Sequence, residues 1–538
     1  MFSEIIIKNK KIIDNSFSES DFLDLLLKNR QIKKSDQENF FKPTFPQASD
    51  FNVNKKEVKK AIDRVNLAIK NKENILIYGD YDVDGITSTA ILWQVLYQKG
   101  AKILPFLPDR ESDGYGIKSK SFFDFEIKKN IHFDLLITVD NGIVANTELA
   151  KIAKKNTDII IIDHHLPVEK LPKVSAIIHS TNFSGSALSW FFASQFDKNA
   201  DIGLAAAGTV ADCLPLIGIN RNIVTYGLKS LQKNPNPGIK KLIEISGIKQ
   251  DSISAYDLGF VIGPRINAVG RLSNPTDALR LLCSQNSNQS TEYAKNLDKF
   301  NKDRQDIQKD NLKTAENLIN QKNDKLIFIS DKTFLPGIIG LIAGRLTEKY
   351  YLPSIIISIG KEFSKASCRS IKELNIIETL RVFNDELVEL GGHAGAAGFT
   401  IKTENIDKFQ NKITKFVNKK LKDIDLKPSI IVEAEMKLSA VNIKNCRLIG
   451  KFEPFGIDNP KPLFLFKNIP ITQKRVIGST ADHLKLKFDD IDAIAFKKGD
   501  LDKTLKIGDS VNLIASLDLN VWNSTTSPQL IVKEIFPV

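Results

Sequence analysis

Two α/β domains joined by a long helix, followed by a C-terminal all-β barrel, is the fold class this sequence predicts. Three observations predict it. Short apolar runs alternate with helical patterns over 71–283 and again over 325–427; a polar stretch without proline or glycine, 284–324, separates them; and from residue 428 onward the runs become short, alternating and bounded by turn residues. The length, 538 residues, suits about three domains. Hydrophobic residues at 42% and charged residues at 26% exclude a disordered or low-complexity chain.

Taken in order, residues 1–70 are polar and lysine-rich and read as a peripheral extension. It ends in a helix with Val58, Ile62, Val65 and Ile69 at helical spacing. ILIYG (75–79) is a buried strand, followed by the helix TSTAILWQVLYQKG and by the strand KILPFL (102–107). DLLITV (134–139), a helix around 144–155 and the strand from Asp158 to Ile162 continue the parallel pattern. Leu297, Phe300, Ile307, Leu312, Ala315 and Ile319 are spread through charge in the next segment, as in a helix that bridges two domains. The second α/β pattern comprises KLIFIS, IIGLIAGRLTEKY, PSIIISIG, KASCRS, a helix around 376–390 and GGHAGAAGF. IIVEAEMKL, PLFLFKNI, HLKLKF, DAIAF, SVNLIASLDL and PQLIVKEIF are spaced as strands of a small barrel.

Lys and Arg outnumber Asp and Glu by 76 to 64, which favours a polyanionic partner. Cys213, Cys283, Cys368 and Cys446 form no CxxC pair, so a disulfide framework and a thiolate zinc site are both disfavoured. No stretch has the roughly 18–20 apolar residues of a membrane span. A cytoplasmic protein, acting as a monomer away from membranes, is expected.

The chemistry stands at strand ends. ILIYG runs into Asp80, Asp82 and Asp84, which alternate and so face one side of an extended segment. DLLITV runs into Asp140, and the strand from Asp158 runs into Asp163, His164 and His165. Ligands of open parallel sheets bind beyond the carboxyl ends of the strands, so these groups would share one crevice. Each alone is an ordinary turn or cap residue. Together they form an oxygen-rich site with imidazole, suited to Mn²⁺ or Mg²⁺. Asp212, in AAAGTVADCLPLIG (205–218), follows small residues that let backbone approach the crevice and joins the ligand candidates. Two divalent ions can hold the attacking and leaving oxygens of a phosphoryl displacement, so a two-metal phosphoesterase is the chemical reading.

DYDVDG (80–85), VDNG (139–142), DHH (163–165) and GTVADCLPL (208–216) resemble the four ordered motifs of the DHH phosphoesterase superfamily. GGHAGAAGF (391–399) is similar to the signature of its companion DHHA1 domain. With PDRESDGYG (108–116), GPRINAVGRL (263–272) and PFGIDNPKPLF (454–464), the resemblance narrows to the single-strand-specific 5′→3′ exonucleases of that superfamily and covers residues 50–538. It implies a DHH domain, a DHHA1 domain and an oligonucleotide-binding (OB) barrel. It also implies two Mn²⁺ or Mg²⁺ ions on Asp80, Asp82, Asp84, Asp140, His164 and Asp212, with Asp163, His165 and His393 at the scissile phosphate. Arg110, Arg369 and either Ser367 or Ser370 would recognise a 5′-terminal phosphate. Arg265, Arg271, Gly391 and Gly392 would add phosphate or strand contacts, and Lys485, Lys487, Phe488 and Trp522 are candidates in the barrel.

Two positions depart from the pattern: Tyr78 stands where some relatives have a ligand histidine, and Asp458 where a second glycine is usual. The implied substrate is single-stranded DNA with a 5′ end, degraded to mononucleotides in repair and recombination. A helicase and a single-strand-binding protein are the expected partners. The competing readings are a phosphodiesterase of short oligonucleotides or cyclic dinucleotides, which needs no barrel, and a non-catalytic strand-binding replication component, which would have lost ligands.

Overall fold

Continuous apolar runs become buried parallel strands. In the computed structural model, which describes residues 4–110, 112–114, 116–167, 169–319, 324–523 and 525–538, the first α/β segment is a five-stranded parallel sheet. Its order is Lys102–Phe106, Asn74–Tyr78, Leu135–Val139, Asp158–Asp163, Ala176–His179. Leu135–Val139 is buried throughout, as a strand covered on both faces must be. Numbered along the chain the spatial order is 2-1-3-4-5, so the crossovers reverse direction between Asn74–Tyr78 and Leu135–Val139. That reversal opens a crevice at the carboxyl ends of the two strands, which run into Asp80–Asp84 and Asp140.

The helix Lys55–Asn71 buries Val58, Ala61, Val65 and Ala68, a stripe rotated from the expected Val58, Ile62, Val65 and Ile69. Alanine fills the close contact, and the bulkier isoleucines flank it at half burial. The bridging helix is one unbroken element, Ser287–Asn317, capped at its start by the Asn286 side chain. It packs on the helices Pro237–Ser246, Gly263–Leu272 and Thr276–Cys283 and on Ile339–Tyr350 of the second α/β segment.

The second sheet runs Glu389–His393, Ala396–Lys402, Phe363–Arg369, Ser354–Ser358, Ile327–Asp331, with only the last pair parallel. The helix expected over 376–390 is confined to Ile376–Arg381. From Glu389 the backbone instead pairs with Ala396–Lys402, Leu390 opposite Phe399 and Gly391 opposite Gly398, so GGHAGAAGF is a hairpin. Cross-strand pairing there overrides local helical pattern.

These segments form one compact unit, 51–212 with 227–428; the other is assembled from 1–50, 213–226 and 429–538. Its eight-stranded sheet begins at Gln473–Ile477 and ends with Glu435–Met436 and Ile12–Ile13. The stretch expected to be peripheral therefore divides. Residues 1–50 belong to this unit, where Phe22, Leu25 and Leu26, at most 4% exposed, share a core with Phe464, Phe466 and Phe488. Phe488 is thus a core residue, and Trp522 is exposed at the end of the hairpin Ser510–Trp522/Thr525–Pro537. Lys485 is paired with Asp492 at 2.6 Å. Asp458 adopts φ +59°, a left-handed conformation that favours glycine, which accounts for the residue usually found there. Among the described residues no helix is long and apolar enough to cross a membrane.

Candidate metal centre

Asp80, Asp82 and Asp84 leave the strand Asn74–Tyr78 and enter the helix Val83–Gln98, which Asp82 caps by accepting from the Gly85 amide at 3.1 Å. Asp84 points to the opposite wall, where the Gly185 and Ser186 amides donate to its two oxygens at 2.6 and 2.9 Å. Those amides open the helix Gly185–Ala193, so the positive end of its dipole faces the carboxylate. A Cβ on Gly185 would lie 2.6 Å from Asp140 Cβ, and one on Gly208 2.5 Å from Asp84 Oδ1; both glycines are required by that closeness. Asp140 itself sits at φ +59°, a strained position for a residue with a side chain.

His164 is the hub. Its Nε2 lies 3.1 Å from Asp140 Oδ1, 3.6 Å from Asp212 Oδ2 and 3.8 Å from Asp84 Oδ2. Three triads have ligand atoms mutually within 4.8 Å: Asp80, Asp82 and Asp140; Asp84, His164 and Asp212; Asp140, His164 and His165. Asp163 differs, because its oxygens are already engaged. Oδ1 accepts from the His164 and His165 amides at 2.7 and 3.1 Å and holds His165 Nδ1 at 2.8 Å, and Oδ2 accepts from the Ile143 amide at 2.8 Å. It is a positioning residue for His165. Tyr78 is fully buried against Phe106, 4.8 Å between ring centroids, and its hydroxyl donates to the Gly116 carbonyl at 3.4 Å.

The electrostatics fit a cation. Burial and then Asp82 push Asp80 up to about 8. Burial, Asp84 and Asp82 push Asp212 up to about 8, and burial with four neighbouring carboxylates lifts Asp140 well above its usual range. Burial lowers His164, whose Nε2 faces carboxylate oxygens, and among the described residues Asp140 Oδ1 accepts no hydrogen bond. Like charges this close are stable together only around positive charge. Burial opposes charge on His165, but the Asp163 hydrogen bond and surrounding carboxylates raise it to about 9.

Arginines converge beside the carboxylates. Arg110 lies over the Tyr81 ring, 4.5 Å from its centroid. Arg271 donates to the Gly337 carbonyl at 3.1 Å, and burial with Arg110, Arg304 and Arg369 as neighbours lowers it to about 10. Ser367 and Arg369 alternate on one face of Phe363–Arg369, with Arg369 Nη1 3.4 Å from Ser367 Oγ. Ser370 is otherwise occupied, its hydroxyl donating to the Leu374 carbonyl at 2.7 Å. Arg265 is not part of the cluster: Nε pairs with Asp298 at 3.0 Å and Nη1 donates to the Val261 carbonyl at 2.8 Å, tying two helices. His393, Gly391 and Gly392 are exposed on the edge strand Glu389–His393, and among the described residues no hydrogen bond or ion pair joins His393 to the carboxylates. Glu111 and Tyr115, in the loop that carries Arg110, lie outside the described residues.

Family models agree with this architecture along the chain: the DHH family N-terminal domain matches 74–216, the DHHA1 domain 323–419 and the RecJ OB domain 432–534. The single-stranded-DNA-specific exonuclease RecJ of Bacillus subtilis is 33% identical over 502 residues, covering 89% of this chain and 63% of its own length. The Haemophilus influenzae protein of that name is 29% identical and is covered at 99% in both chains. The chain thus carries DHH, DHHA1 and RecJ OB domains in that order, as matched by these family models. It spans 63% of the length of the Bacillus subtilis RecJ. The structure of Thermus thermophilus RecJ in complex with Mn²⁺ superposes with a TM-score of 0.83 at 24% identity, covering 99% of this chain and 80% of that one, and so shares the fold.

Several supports of the centre lie outside the four DHH motifs that the sequence displays. Ser184, which caps Gly185–Ala193 by accepting from the Ala187 amide, turns the two donating amides toward Asp84. The signal was present as a serine two residues before the apolar run SALSWFF. Asn267 accepts from the Val83 amide at 2.9 Å, and a Cβ on Gly270 would lie 2.5 Å from the Tyr81 carbonyl oxygen. GPRINAVGRL thus braces the DYDVDG loop. Arg304, on the bridging helix, is the fourth arginine of the cluster.

Proposed function

We propose that this chain is a RecJ-type, metal-dependent nuclease that degrades single-stranded DNA from its 5′ end to mononucleotides. The observation that carries the reading is the buried carboxylate–imidazole centre at the sheet's switch point, with arginines converging beside it. Mn²⁺ or Mg²⁺ held by Asp82, Asp84, Asp140, His164 and Asp212, with Asp80 in reach, would supply activation of water and neutralisation of phosphate charge.

The chain's own groups do the remaining work. Asp163 fixes Nδ1 of His165, aligning the ring toward the scissile phosphate. The Gly185 and Ser186 amides keep Asp84 in place, and Asn267 and Gly270 hold the loop that carries Asp80 and Asp82. Arg110, Arg271, Arg369 and Ser367 take the 5′-terminal phosphate, since guanidinium forks pair bidentately with phosphate oxygens. His393 contacts the strand near the cleaved bond from the neighbouring hairpin. A narrow channel that excludes duplex would give strand selectivity without reading base identity. In the cytoplasm a helicase and a single-strand-binding protein would supply the strand.

A 5′-phosphorylated, 5′-labelled oligodeoxynucleotide incubated with Mn²⁺, Mg²⁺ or EDTA, beside its blunt duplex, tests the reading. Labelled mononucleotide released from the first time point, from the single strand and with metal only, is the expected result. Cleavage confined to di- and trinucleotides would move the chain to short-oligonucleotide phosphodiesterases. Binding without cleavage in either metal would make it a strand-binding component.

A further inference from the structure

Beside the metal centre the chain leaves two large aromatic side chains in solvent. Tyr256 is 65% exposed and Phe260 69% exposed. Their rings stack, with centroids 4.9 Å apart and planes inclined by 24°. The local fold presents them deliberately. A Ser254–Asp257 capping box starts the short helix Ala255–Asp257, one π-helical turn follows over Leu258–Ile262, and the α-helix Gly263–Leu272 continues. Leu258 and Ile262 are buried, so the pair lies on the outward side of this turn. Single π turns inside helices recur at functional sites.

Position decides what the pair is for. A Cβ on Gly259 would lie 3.3 Å from Val210 Cγ1, and one on Gly263 3.7 Å from Ala211 Cβ and 3.8 Å from Val83 Cγ2. Val83 stands between Asp82 and Asp84, and Ala211 precedes Asp212. The turn that carries Phe260 is therefore packed against both the loop and the helix end that deliver metal-site carboxylates.

We propose that Tyr256 and Phe260 are a stacking platform for unpaired bases of the strand whose phosphate lies at the metal centre. This rests on the proposed function and names a subsite for it. Every base has a π face, so stacking grips a strand whatever its sequence, as a nuclease without base readout requires. A paired base has its faces covered by its neighbours, so the platform favours single strands over duplex.

The test measures KM of the full chain in Mn²⁺ on 5′-phosphorylated 20-mers that carry one abasic residue at successive positions. In the unaltered protein, removing the base at one or two adjacent positions should raise KM by roughly 5- to 150-fold, the range for loss of one stacked base. Tyr256→Leu/Phe260→Leu, which keeps apolar bulk and removes the π faces, should raise KM on the intact strand by a similar factor and abolish the positional effect. Tyr256→Phe should retain it. A double variant with the KM and the abasic profile of the unaltered protein overturns the platform while leaving the nuclease reading intact. An unaltered protein that cleaves no single strand overturns the nuclease reading, and the platform with it.

Discussion

Asp212 shows at the scale of one residue how the centre trades stability for function. It is the C-cap of the helix Ile202–Ala211, and burial together with Asp84 and Asp82 disfavours its charge. In the metal-free protein its folded value of about 8 lies above the usual carboxylate value of 3.8. The folded state then binds more protons, and stability falls as pH rises from about 4 toward 8. Asp212→Asn should flatten that fall when the unfolding temperature is followed against pH in EDTA, and should reduce the upward shift that Mn²⁺ produces. An unchanged slope would mean that Asp212 is not ionising against the cluster. Asp163 has the opposite balance. Burial disfavours its charge, yet the His165 hydrogen bond and the Ile143 and His165 amides hold it below its usual value. Asp163→Asn frees the His165 ring and should lower cleavage by roughly 10- to 100-fold, the usual cost of losing an orienting partner. Retained full activity would show that His165 needs no such anchor. The ligand candidates other than Asp212 were legible because each lies within a few residues of a strand end, whereas Asp212 follows the small residues at a helix end. The separate duty of Asp163 was not, since it depends on the distant Ile143 amide.

Three helices set the spacing of the centre: Val83–Gln98, Gly185–Ala193 and Ile202–Ala211, all in mutual contact. Their approach is close enough that a Cβ on Gly208 would come within 2.0 Å of Ser186 Oγ. Gly208→Ala should therefore destabilise the unit by about 1–3 kcal/mol, the range for an overpacked core. It should also weaken Mn²⁺ binding, because Ser186 carries one of the amides that hold Asp84. Urea unfolding and titration calorimetry measure the two effects. A neutral outcome in both would show that Ser186 can move without cost. Small residues in AAAGTVAD already pointed to close backbone approach, but not to the partner helix. The shortened helix at 376–381 teaches the converse. Its continuation reads as helical locally, yet Glu389–His393 finds hydrogen-bonded partners in Ala396–Lys402.

At the scale of the whole molecule, chain ends far apart in sequence build one core. Phe22 stacks on Phe464, 6.0 Å between ring centroids, and strand Glu4–Ile7 pairs in parallel with Ser429–Val432. The N-terminal stretch is thus required by the barrel unit. Phe22→Ala should cost about 3–5 kcal/mol in that unit's unfolding, the usual range for a buried phenylalanine. Deletion of residues 1–50 should leave residues 429–538 open to limited proteolysis. Resistance of the truncated chain would mean that the barrel closes without Ile13, Phe22, Leu25 and Leu26.

The sequence alone determined the parallel sheet, the bridging helix, the strand-rich C-terminal region and the carboxylates and histidines of the centre. Each rests on local pattern: continuous apolar strands, helical spacing, and acidic residues placed directly after strands. The tertiary structure decided what depends on distant partners. It turned the Ser186 amide onto Asp84, 102 residues away, and engaged Arg265 with Asp298 while Arg271 and Arg304 joined Arg110 and Arg369. It placed Phe22 in the barrel core and left Tyr256 and Phe260 in solvent. Those outcomes follow from which surfaces meet when the elements pack, and burial, charge pairing and close approach are set only at that contact.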